Sequence, residues 1–328
     1  MSVIFSRAPL RVSLGGGGTD IPSYYREHGG FLVSGAIDKY VYMLTHTVFQ
    51  RRYRMKYSQF EEVDDPSEIR HPILRESLLR HWNGDPLEVS VIADVPAGTG
   101  LGSSGSFTVG LLRALHAYRQ DHLSTQALAE AACHIEIERL GDPVGKQDQY
   151  IAAFGGLTRF EFAPDGSVEV ERLSVAEETL ADLEEHLLLF FTGYSRRATT
   201  ILADQKQRSE QDDEAMIANL DEVSDLGRRI AVALEAGDTA AFAGLMHEHW
   251  LAKRQRTKGI TSDEIDGWYD LARRNGALGG KLVGAGAGGF LLFYADSPRQ
   301  VRRAMADAGL SEVRFGFDHD GSVVLARS

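Results

Sequence analysis

The feature that most constrains this chain is a glycine-rich loop at residues 96–106, with the sequence PAGTGLGSSGS. An apolar strand is predicted before it, over 88–95, and apolar residues at helical spacing predict a helix over about 104–118. Alternating glycines let backbone N–H groups converge, and a helix N-terminus adds roughly half a positive charge. The loop therefore predicts a phosphate-binding turn, with a purely structural tight turn as the alternative.

The same loop also satisfies the G-x-G-x-x-G spacing of dinucleotide-binding proteins, at Gly100, Gly102 and Gly105. That fold requires a second parallel strand that ends in an acidic residue about 20 positions later. The chain continues instead into a second amphipathic helix, predicted over 124–140. No Lys-Ser or Lys-Thr follows the glycines, which excludes a Walker loop. An NAD-dependent oxidoreductase is kept only as a lesser alternative.

Three separated segments resemble the motifs of the GHMP kinases, a superfamily of small-molecule kinases. Residues 7–20 (RAPLRVSLGGGGTD) resemble the first motif, the loop at 96–106 the second, and residues 281–290 (KLVGAGAGGF) the third. The resemblance implies an α+β fold of two domains. The expected division is an N-terminal nucleotide and substrate domain over 1–180 and a C-terminal ferredoxin-like domain over 181–328.

The resemblance also implies an activity, the ATP- and Mg²⁺-dependent phosphorylation of a sugar hydroxyl. Residues 16–20, 36–41 and 192–196 resemble, more narrowly, sugar kinases that act on D-glycero-D-manno-heptose 7-phosphate. The expected acceptor is the anomeric hydroxyl of that sugar, and the expected product is the 1,7-bisphosphate. A fucokinase- or galactokinase-like hexose kinase is the alternative, and a non-catalytic sugar-binding regulator that retains the fold is a further one.

Nucleotide and metal contacts follow from the second motif and the helix after it. The resemblance implies nucleotide binding by Pro96, Gly98, Thr99, Gly100, Leu101, Gly102, Ser103 and Ser104. It implies Mg²⁺ ligation by Ser104, with Ser103 as the neighbouring option, and by Glu138. Glu138 is predicted in the last helical turn before Gly141, where the helix dipole disfavours a carboxylate by about 0.3–1 kcal/mol unless a cation compensates. A surface glutamate paired with a neighbouring cation is the alternative.

Two charged residues are predicted at the reacting groups. Asp148 follows Pro143 and Gly145 on a predicted loop, and the resemblance places the corresponding aspartate near the attacking hydroxyl. Because phosphoryl transfer has a loose transition state, that carboxylate can orient the hydroxyl and accept its proton late. A loop-capping aspartate is the alternative. Arg11 matches a cationic position near the transferred phosphate; its guanidinium stabilises charge and cannot act as a base.

Substrate contacts are predicted from three segments, through Gly17, Gly18, Thr19, Asp20, Arg196 and Gly286. A short carboxylate at Asp20 could accept hydrogen bonds from two sugar hydroxyls, although Asp before Ile21-Pro22 is also a good helix cap. Arg196 is predicted to hold the distal phosphate of the acceptor, with an ordinary surface arginine as the alternative. The third-motif glycines are predicted to allow close packing behind the phosphate loop, with direct ligand contact left open.

Composition narrows the class of partners. The chain has 328 residues, 43% of them hydrophobic, and no run of about 18 apolar residues or signal-like N-terminus, so a cytoplasmic protein with a sizeable core is expected. A net charge of −12 argues against a nucleic-acid surface, so local cations must attract anionic substrates. The basic residues at 51–56 are better explained as a solvated strand face. The expected partners are ATP and a sugar, with a homodimer left open.

Overall fold

The computed structural model describes residues 3–193, 199–211 and 213–328, which form twelve β-strands and eleven α-helices. The strands are β1 (Val3–Gly15), β2 (Gly30–Thr47), β3 (Tyr53–Lys56), β4 (Phe60–Val63), β5 (Leu87–Ala93), β6 (Leu157–Phe162), β7 (Val168–Arg172), β8 (Leu187–Phe191), β9 (Ala277–Leu282), β10 (Phe290–Ala295), β11 (Ser311–Glu312) and β12 (Val323–Arg327). The helices are α1 (Pro22–His28), α2 (Pro72–His81), α3 (Ser103–Arg119), α4 (Thr125–Cys133), α5 (Gln147–Phe154), α6 (Glu177–His186), α7 (Thr199–Glu210), α8 (Glu214–Glu235), α9 (Thr239–Arg256), α10 (Asp263–Arg274) and α11 (Pro298–Asp307). A short 3₁₀ turn at Pro66–Glu68 precedes α2, and a π-helical turn at His134–Arg139 continues α4.

The first sheet has eight strands and is antiparallel except at one pairing. Its order is β12-β1-β2-β5-β3-β4, and β6 and β7 continue the sheet from the first half of β2. The parallel pairing is between β3 and β5. The glycine-rich loop follows β5, so it leaves a largely antiparallel sheet. This sheet lacks the parallel strand succession that a dinucleotide-binding fold needs, which removes the oxidoreductase alternative.

The long strand β2 replaces two shorter predicted strands, at 31–36 and 40–49. Its pairing with β1 skips at Pro9/Leu10, where Pro9 lies opposite Tyr40 and Leu10 opposite Ile37. The skipped residues of β2 are Asp38 and Lys39, whose side chains form an ion pair at 2.6 Å. A bulge accommodates these two polar residues within a continuous strand. Their polarity had indicated a break between strands.

The second sheet has four antiparallel strands in the order β11-β8-β10-β9, and helices from the second half of the chain pack against it. Two helices, α7 and α8, replace the single helical run predicted over 198–236, and the Asp213 side chain caps α8 by accepting from Met216 N–H at 3.0 Å. α8 also packs against β1 and β2 of the first sheet. The architecture is the expected α+β one.

Along the chain, the strands of the first sheet end with β7 at Arg172 and those of the second begin with β8 at Leu187, with one exception. β12 returns from the end of the chain and pairs with β1, so a segment of the second half completes the first sheet. The hairpin predicted around Asp165-Gly166 joins β6 and β7. Within the described ranges, the helices are all too short or too polar to cross a bilayer.

Candidate active site

A cleft of about 280 Å³ is lined by all three glycine-rich segments of the sequence. Loop residues 98–104, first-motif residues 11–20 and third-motif residues 281–285 contribute to its walls. Residues 142–148, part of α7 and the end of α9 also line it. The structure thus brings together three segments that are far apart in the chain.

The glycine-rich loop presents its backbone to the cleft and its larger side chains to the protein interior. Gly98, Gly100, Gly102, Ser103 and Ser104 line the cleft. In contrast, Leu101 is fully buried in the core, and the buried Thr99 hydroxyl donates a hydrogen bond to the Pro96 carbonyl at 3.0 Å. The side chains of Thr99 and Leu101 are thus turned away from the cleft, which the glycines and serines face, and nucleotide binding by Pro96, Thr99 and Leu101 stays a prediction. We call residues 98–104 the loop wall.

The third motif packs directly against the loop wall, as predicted. Gly100 has a φ of +88° and Gly284 a φ of +79°, and a Cβ at Gly284 would lie 2.7 Å from Gly100 Cα. Only glycine at both positions allows this approach in these backbone conformations. Gly286, predicted to contact substrate, lies instead against the backbone of Ile260. Within the glycine-rich part of the third motif, Gly284 and Ala285 line the cleft.

Arg11 and Asp148 form an ion pair beside the loop wall. Asp148 Oδ1 accepts from Arg11 Nε at 2.8 Å and lies 2.6 Å from Nη2. Arg11 Nη1 donates to the Gly100 carbonyl. Arg11 is 5% exposed, whereas the Asp148 side chain is 29% exposed and faces the cleft. Asp148 belongs to the first turn of α5 and not to a loop, and there the helix dipole favours a carboxylate.

The carboxylate that meets Ser104 belongs to Glu136, not to Glu138. The Ser104 hydroxyl donates to Glu136, and Gln149 Nε2 donates to the same carboxylate at 3.0 Å. Glu138 lies on another side of the helical segment, where its side chain is 65% exposed and pairs with His134 at 2.8 Å. The prediction of a metal ligand at Glu138 therefore does not fit the geometry. Two residues along a helix correspond to roughly 200° of rotation, which separates the two glutamates.

A signal for Glu136 was present in the sequence. Leu128, Ala132 and Glu136 recur every four residues, so the apolar stripe of α4 carries Glu136 to the buried face. Glu136 is 1% exposed, and this burial raises its pKa to about 7 despite hydrogen bonds from Ser104, Gln149 and Thr108. A buried carboxylate of this kind is stabilised by a cation.

The residues around Glu136 fit a hard cation that is shared with phosphate oxygens. The Ser103 hydroxyl beside Ser104 is buried and lacks a hydrogen-bond partner in the described part of the chain. Among the described residues, no group of three or more His, Cys, Asp or Glu side chains could hold a metal by itself. Mg²⁺ is commonly held by one or two carboxylates together with substrate phosphates. One carboxylate and one hydroxyl are consistent with that arrangement.

Two first-motif side chains that were predicted to contact substrate differ in their placement: Asp20 lines the cleft, and Thr19 does not. Asp20 is 6% exposed; its two oxygens accept from Gly18 N–H at 3.2 Å and Gln147 N–H at 3.0 Å. Burial, together with repulsion from Asp148, raises the pKa of Asp20. Asp20 thus holds the start of α5 and does not cap α1, which lacks a side-chain cap. The Thr19 hydroxyl is fully buried and bonds the Gly16 and Phe31 carbonyls, so it is not available to a substrate.

Sequence reasoning missed a set of buried cations that we call the cation wall: Lys253, Arg256 and Lys281. Lys253 and Arg256 lie one turn apart at the end of α9, and Lys281 lies on β9. The sequence alone predicts that this helix ends at Lys253, and in the structure it extends to Arg256. His249, Lys253 and Arg256 are spaced i, i+4, i+7 on the buried face of α9, which was the available signal. His249 serves there as a buried acceptor for Gly16 N–H at 3.2 Å.

Two further basic segments were considered in the sequence. Arg196 lies outside the described residues, so its assignment to a phosphate stays a prediction. Arg54 and Lys56 of β3, and Arg52 just before it, are paired with Glu62, Asp64 and Glu88 at 2.6–2.8 Å. This confirms the interpretation of the segment as a solvated strand face, with its charges already balanced.

Comparisons with known proteins agree with this geometry. The family model "GHMP kinases N terminal domain" matches residues 73–156, and "GHMP kinases C terminal" matches residues 230–310. The chain is 30% identical over 92% of its length to a D-glycero-alpha-D-manno-heptose 7-phosphate kinase of Campylobacter jejuni, covering 91% of that protein.

Solved structures give the same result for the fold. A D-glycero-D-manno-heptose 1-phosphate kinase from Bacteroides thetaiotaomicron superposes with a TM-score of 0.80 at 25% identity, over 99% of both chains. A galactokinase of Lactococcus lactis in complex with galactose shares the fold with a TM-score of 0.78 at 17% identity, over 98% of this chain and 95% of that one. With sequence, fold and site in agreement, the chain belongs to the GHMP kinases and is an ATP-dependent sugar kinase.

Proposed function

We propose that this kinase transfers the γ-phosphoryl group of ATP to the anomeric hydroxyl of D-glycero-D-manno-heptose 7-phosphate, giving the 1,7-bisphosphate and ADP. The choice of acceptor is supported by the similarity to the Campylobacter jejuni kinase, whose name also specifies the α anomer. The observation that carries the reaction type is the Arg11–Asp148 pair, which faces the cleft beside the loop wall.

In this proposal the loop wall holds the phosphates of ATP. Backbone N–H groups of the glycines and the N-terminus of α3 at Ser103 supply donors and positive charge for an anion. Ser104 and Glu136 would hold Mg²⁺, which supplies charge neutralisation to the phosphates when it is bound. Ser103, whose buried hydroxyl is unpartnered among the described residues, is an additional donor to phosphate.

Arg11 and Asp148 have complementary roles in the transfer. The anomeric oxygen forms a bond to the γ-phosphorus, the bond from phosphorus to the β,γ-bridging oxygen breaks, and ADP leaves. Asp148 orients the attacking hydroxyl and accepts its proton late, because the transition state is loose and the oxygen becomes acidic only as its bond to phosphorus forms. Arg11 fixes the Asp148 carboxylate and stabilises charge on the transferring group.

The proposal is tested by a substrate screen. ADP release is measured with Mg-ATP and, separately, heptose 7-phosphate, the free heptose, fucose, galactose and mannose, and ³¹P NMR identifies a new anomeric phosphate. The expected result is the highest kcat/KM with heptose 7-phosphate and a product that carries phosphate at both C1 and C7. A higher kcat/KM with fucose or galactose would overturn the heptose assignment and support a hexose kinase.

A further inference from the structure

The cation wall is more deeply buried than a role in solubility or surface pairing requires. Lys253 and Arg256 are each 5% exposed, and Lys281 is 1% exposed. All three line the same cleft as Asp20 and Asp148. They come from the second half of the chain, and the reaction steps assigned above to Arg11, Asp148, Ser104 and Glu136 do not use them.

Backbone carbonyls and side-chain amide oxygens accept only part of the hydrogen bonds that these three cations can donate. Lys253 Nζ donates to the carbonyls of Leu282, at 2.9 Å, and Gly284. Lys281 Nζ has a single long contact, to the Leu14 carbonyl at 3.4 Å. Among the residues that the structure describes, neither ammonium group forms an ion pair with a carboxylate. Their charges are therefore held by dipoles alone.

Arg256 is the cation with an unused donor. Its Nε donates to Asn219 Oδ1 at 2.9 Å, and its Nη1 donates to the Gly17 carbonyl at 3.1 Å. Its Nη2 is buried and has no hydrogen-bond partner within residues 3–193, 199–211 and 213–328. Leaving a buried donor of a charged group without a partner is more unfavourable than leaving one of a neutral group. The free donor indicates a ligand that the protein itself does not supply.

Electrostatics supports the same interpretation. Burial, with repulsion from Arg256 and Arg11, lowers the pKa of Lys253 to about 7. Burial also lowers the pKa of Arg256 to about 10, against the attraction of Asp20. Burial and repulsion from Lys253, Arg256 and Arg11 also lower the pKa of Lys281 well below its usual value. An anion among these groups would relieve both the desolvation and the mutual repulsion.

Arg256 lies next to first-motif residues 17–20, for which substrate contacts are predicted, so an anion bound by Arg256 would lie beside them. Arg256 Nη1 bonds the Gly17 carbonyl, and Asp20 Oδ1 accepts from the neighbouring Gly18 N–H. Gln205 of α7 donates to the Gly18 carbonyl at 2.9 Å and lies 3.4 Å from Arg256 Nη1. The Arg256 guanidinium thus contacts the first motif and α7, whereas Arg11 contacts the loop wall through the Gly100 carbonyl.

We propose that Arg256, assisted by Lys253 and Lys281, binds the phosphate that the acceptor already carries before the transfer. The ligand is a phosphate monoester dianion, which offers three acceptor oxygens to one guanidinium and two ammonium groups. The inference rests on the proposed function, because it gives the 7-phosphate of the acceptor a binding site. It assigns to Arg256 a role that the sequence had suggested for Arg196.

Direct binding tests the site without turnover. Inorganic phosphate is titrated by calorimetry into wild-type protein, both free and loaded with Mg²⁺ and the non-hydrolysable analogue AMP-PNP, whose γ-phosphate occupies the nucleotide position. We expect phosphate to bind the loaded protein, and we expect Arg256→Gln to weaken that binding by about tenfold or more, as loss of a charge-assisted contact implies. Phosphate binding that AMP-PNP abolishes would show that the cation wall serves the nucleotide, and would overturn the inference.

Steady-state kinetics provide the second arm. Arg256→Gln should raise KM for heptose 7-phosphate about 10- to 100-fold, leave KM for the free heptose within about twofold, and leave KM for ATP unchanged. Arg256→Lys, which keeps the charge, should recover part of the loss. The matched control is Arg254→Gln, two residues earlier on α9, where the side chain pairs with Asp266 at 2.7 Å. Equal losses with phosphorylated and free heptose would overturn the inference.

The two arms separate this inference from the proposed function. If wild-type protein phosphorylates neither heptose, the proposed function fails, while phosphate binding that depends on Arg256 would still support the inference for another phosphorylated acceptor. If heptose 7-phosphate is a good substrate and Arg256→Gln, folded as judged by circular dichroism, behaves as wild type, the inference fails and the proposed function stands. If Arg256→Gln is unfolded, phosphate is titrated into wild type and into Arg256→Lys instead. Binding to wild type that the lysine substitution weakens supports the inference. No binding to wild type, or equal binding to both proteins, overturns it.

Discussion

The loop wall and the cation wall of the cleft differ in how the chain builds them. The loop wall is one continuous segment, residues 98–104, whose backbone does the binding that we propose. The cation wall is assembled from side chains of α9 and β9, which approach the first motif only through tertiary packing. Backbone-based sites require glycines at fixed spacing, and side-chain sites require only that the right helix face is buried. The first leaves a motif in the sequence and the second leaves almost none.

The largest expected effect comes from the loop side of the cleft, at Asp148. Asp148→Asn should lower kcat about 10²- to 10⁴-fold, because the amide cannot accept the hydroxyl proton, while shape and most hydrogen bonding are kept. The dissociation constant of AMP-PNP should change by less than about twofold. The kcat is measured by ADP release, and the dissociation constant of AMP-PNP is measured by calorimetry. A wild-type kcat in this variant would remove Asp148 from the reaction.

A smaller effect is expected at Glu136, and Glu138 is its matched control. Glu136→Gln removes the negative charge next to Ser104, so the Mg²⁺ concentration for half-maximal activity should rise about tenfold or more. Glu138→Gln, two residues away and exposed, should leave the Mg²⁺ titration unchanged. The reverse ranking of the two variants would restore the original assignment from the sequence.

The cation wall should give the KM for the acceptor a pH dependence near neutral pH. Lys253 faces Arg256, Arg11 and Lys281, and its pKa of about 7 means that it is protonated below pH 7 and neutral above it. The acceptor phosphate has a second pKa of about 6 and is a dianion only above that pH. The value of 1/KM for heptose 7-phosphate should therefore peak between about pH 6 and 7, and fall up to about tenfold by pH 8.5.

Lys253→Met provides the check on that profile. The methionine side chain has no titrating group, so 1/KM should be low and flat above pH 7, while the fall below pH 6 remains because it belongs to the ligand. KM for ATP, measured across the same pH range, is the internal control. If 1/KM for heptose 7-phosphate falls above pH 7 in the variant as it does in wild type, that fall belongs to a group other than Lys253.

The smallest effect is expected outside the cleft, where cations are already paired. Arg54→Gln removes a side chain that is 29% exposed and bonded to Glu62 at 2.8 Å. Exposed pairs of this kind contribute about 0–1 kcal/mol, so stability against urea should change little and both KM values should stay the same. A raised KM for the acceptor would mean that surface cations attract the substrate, and would weaken the contrast with the cation wall.

The sequence predicted what short-range patterns determine. The motif order identified the family and its α+β fold, and the spacing of apolar residues predicted the helix that follows the glycine-rich loop. The same spacing rule, applied to Leu128 and Ala132, would have selected Glu136. The error at Glu138 came from matching a motif position and not checking which helix face it occupied.

Other features depend on contacts that a single sequence does not contain. The continuity of β2 across Asp38-Lys39 depends on its pairing with β1, which absorbs the two residues as a bulge. Thr19 appeared available to a substrate, but its hydroxyl is used by carbonyls of two other segments. The cation wall requires α9 and β9 to meet the first motif. Each outcome is decided by tertiary packing and not by local propensity.

The pairing of β12 with β1 has a consequence for how this protein reaches its native state. Ile4 lies opposite Arg327, so this edge of β1, the strand that carries Arg11, is covered only after residues 323–327 have left the ribosome. Pairings of such long range have a large loop-closure entropy and form late in folding. Until then β1 has an unprotected edge, a site for pairing with other chains. Protection of this edge against pairing with other chains is therefore acquired only in a late step of folding.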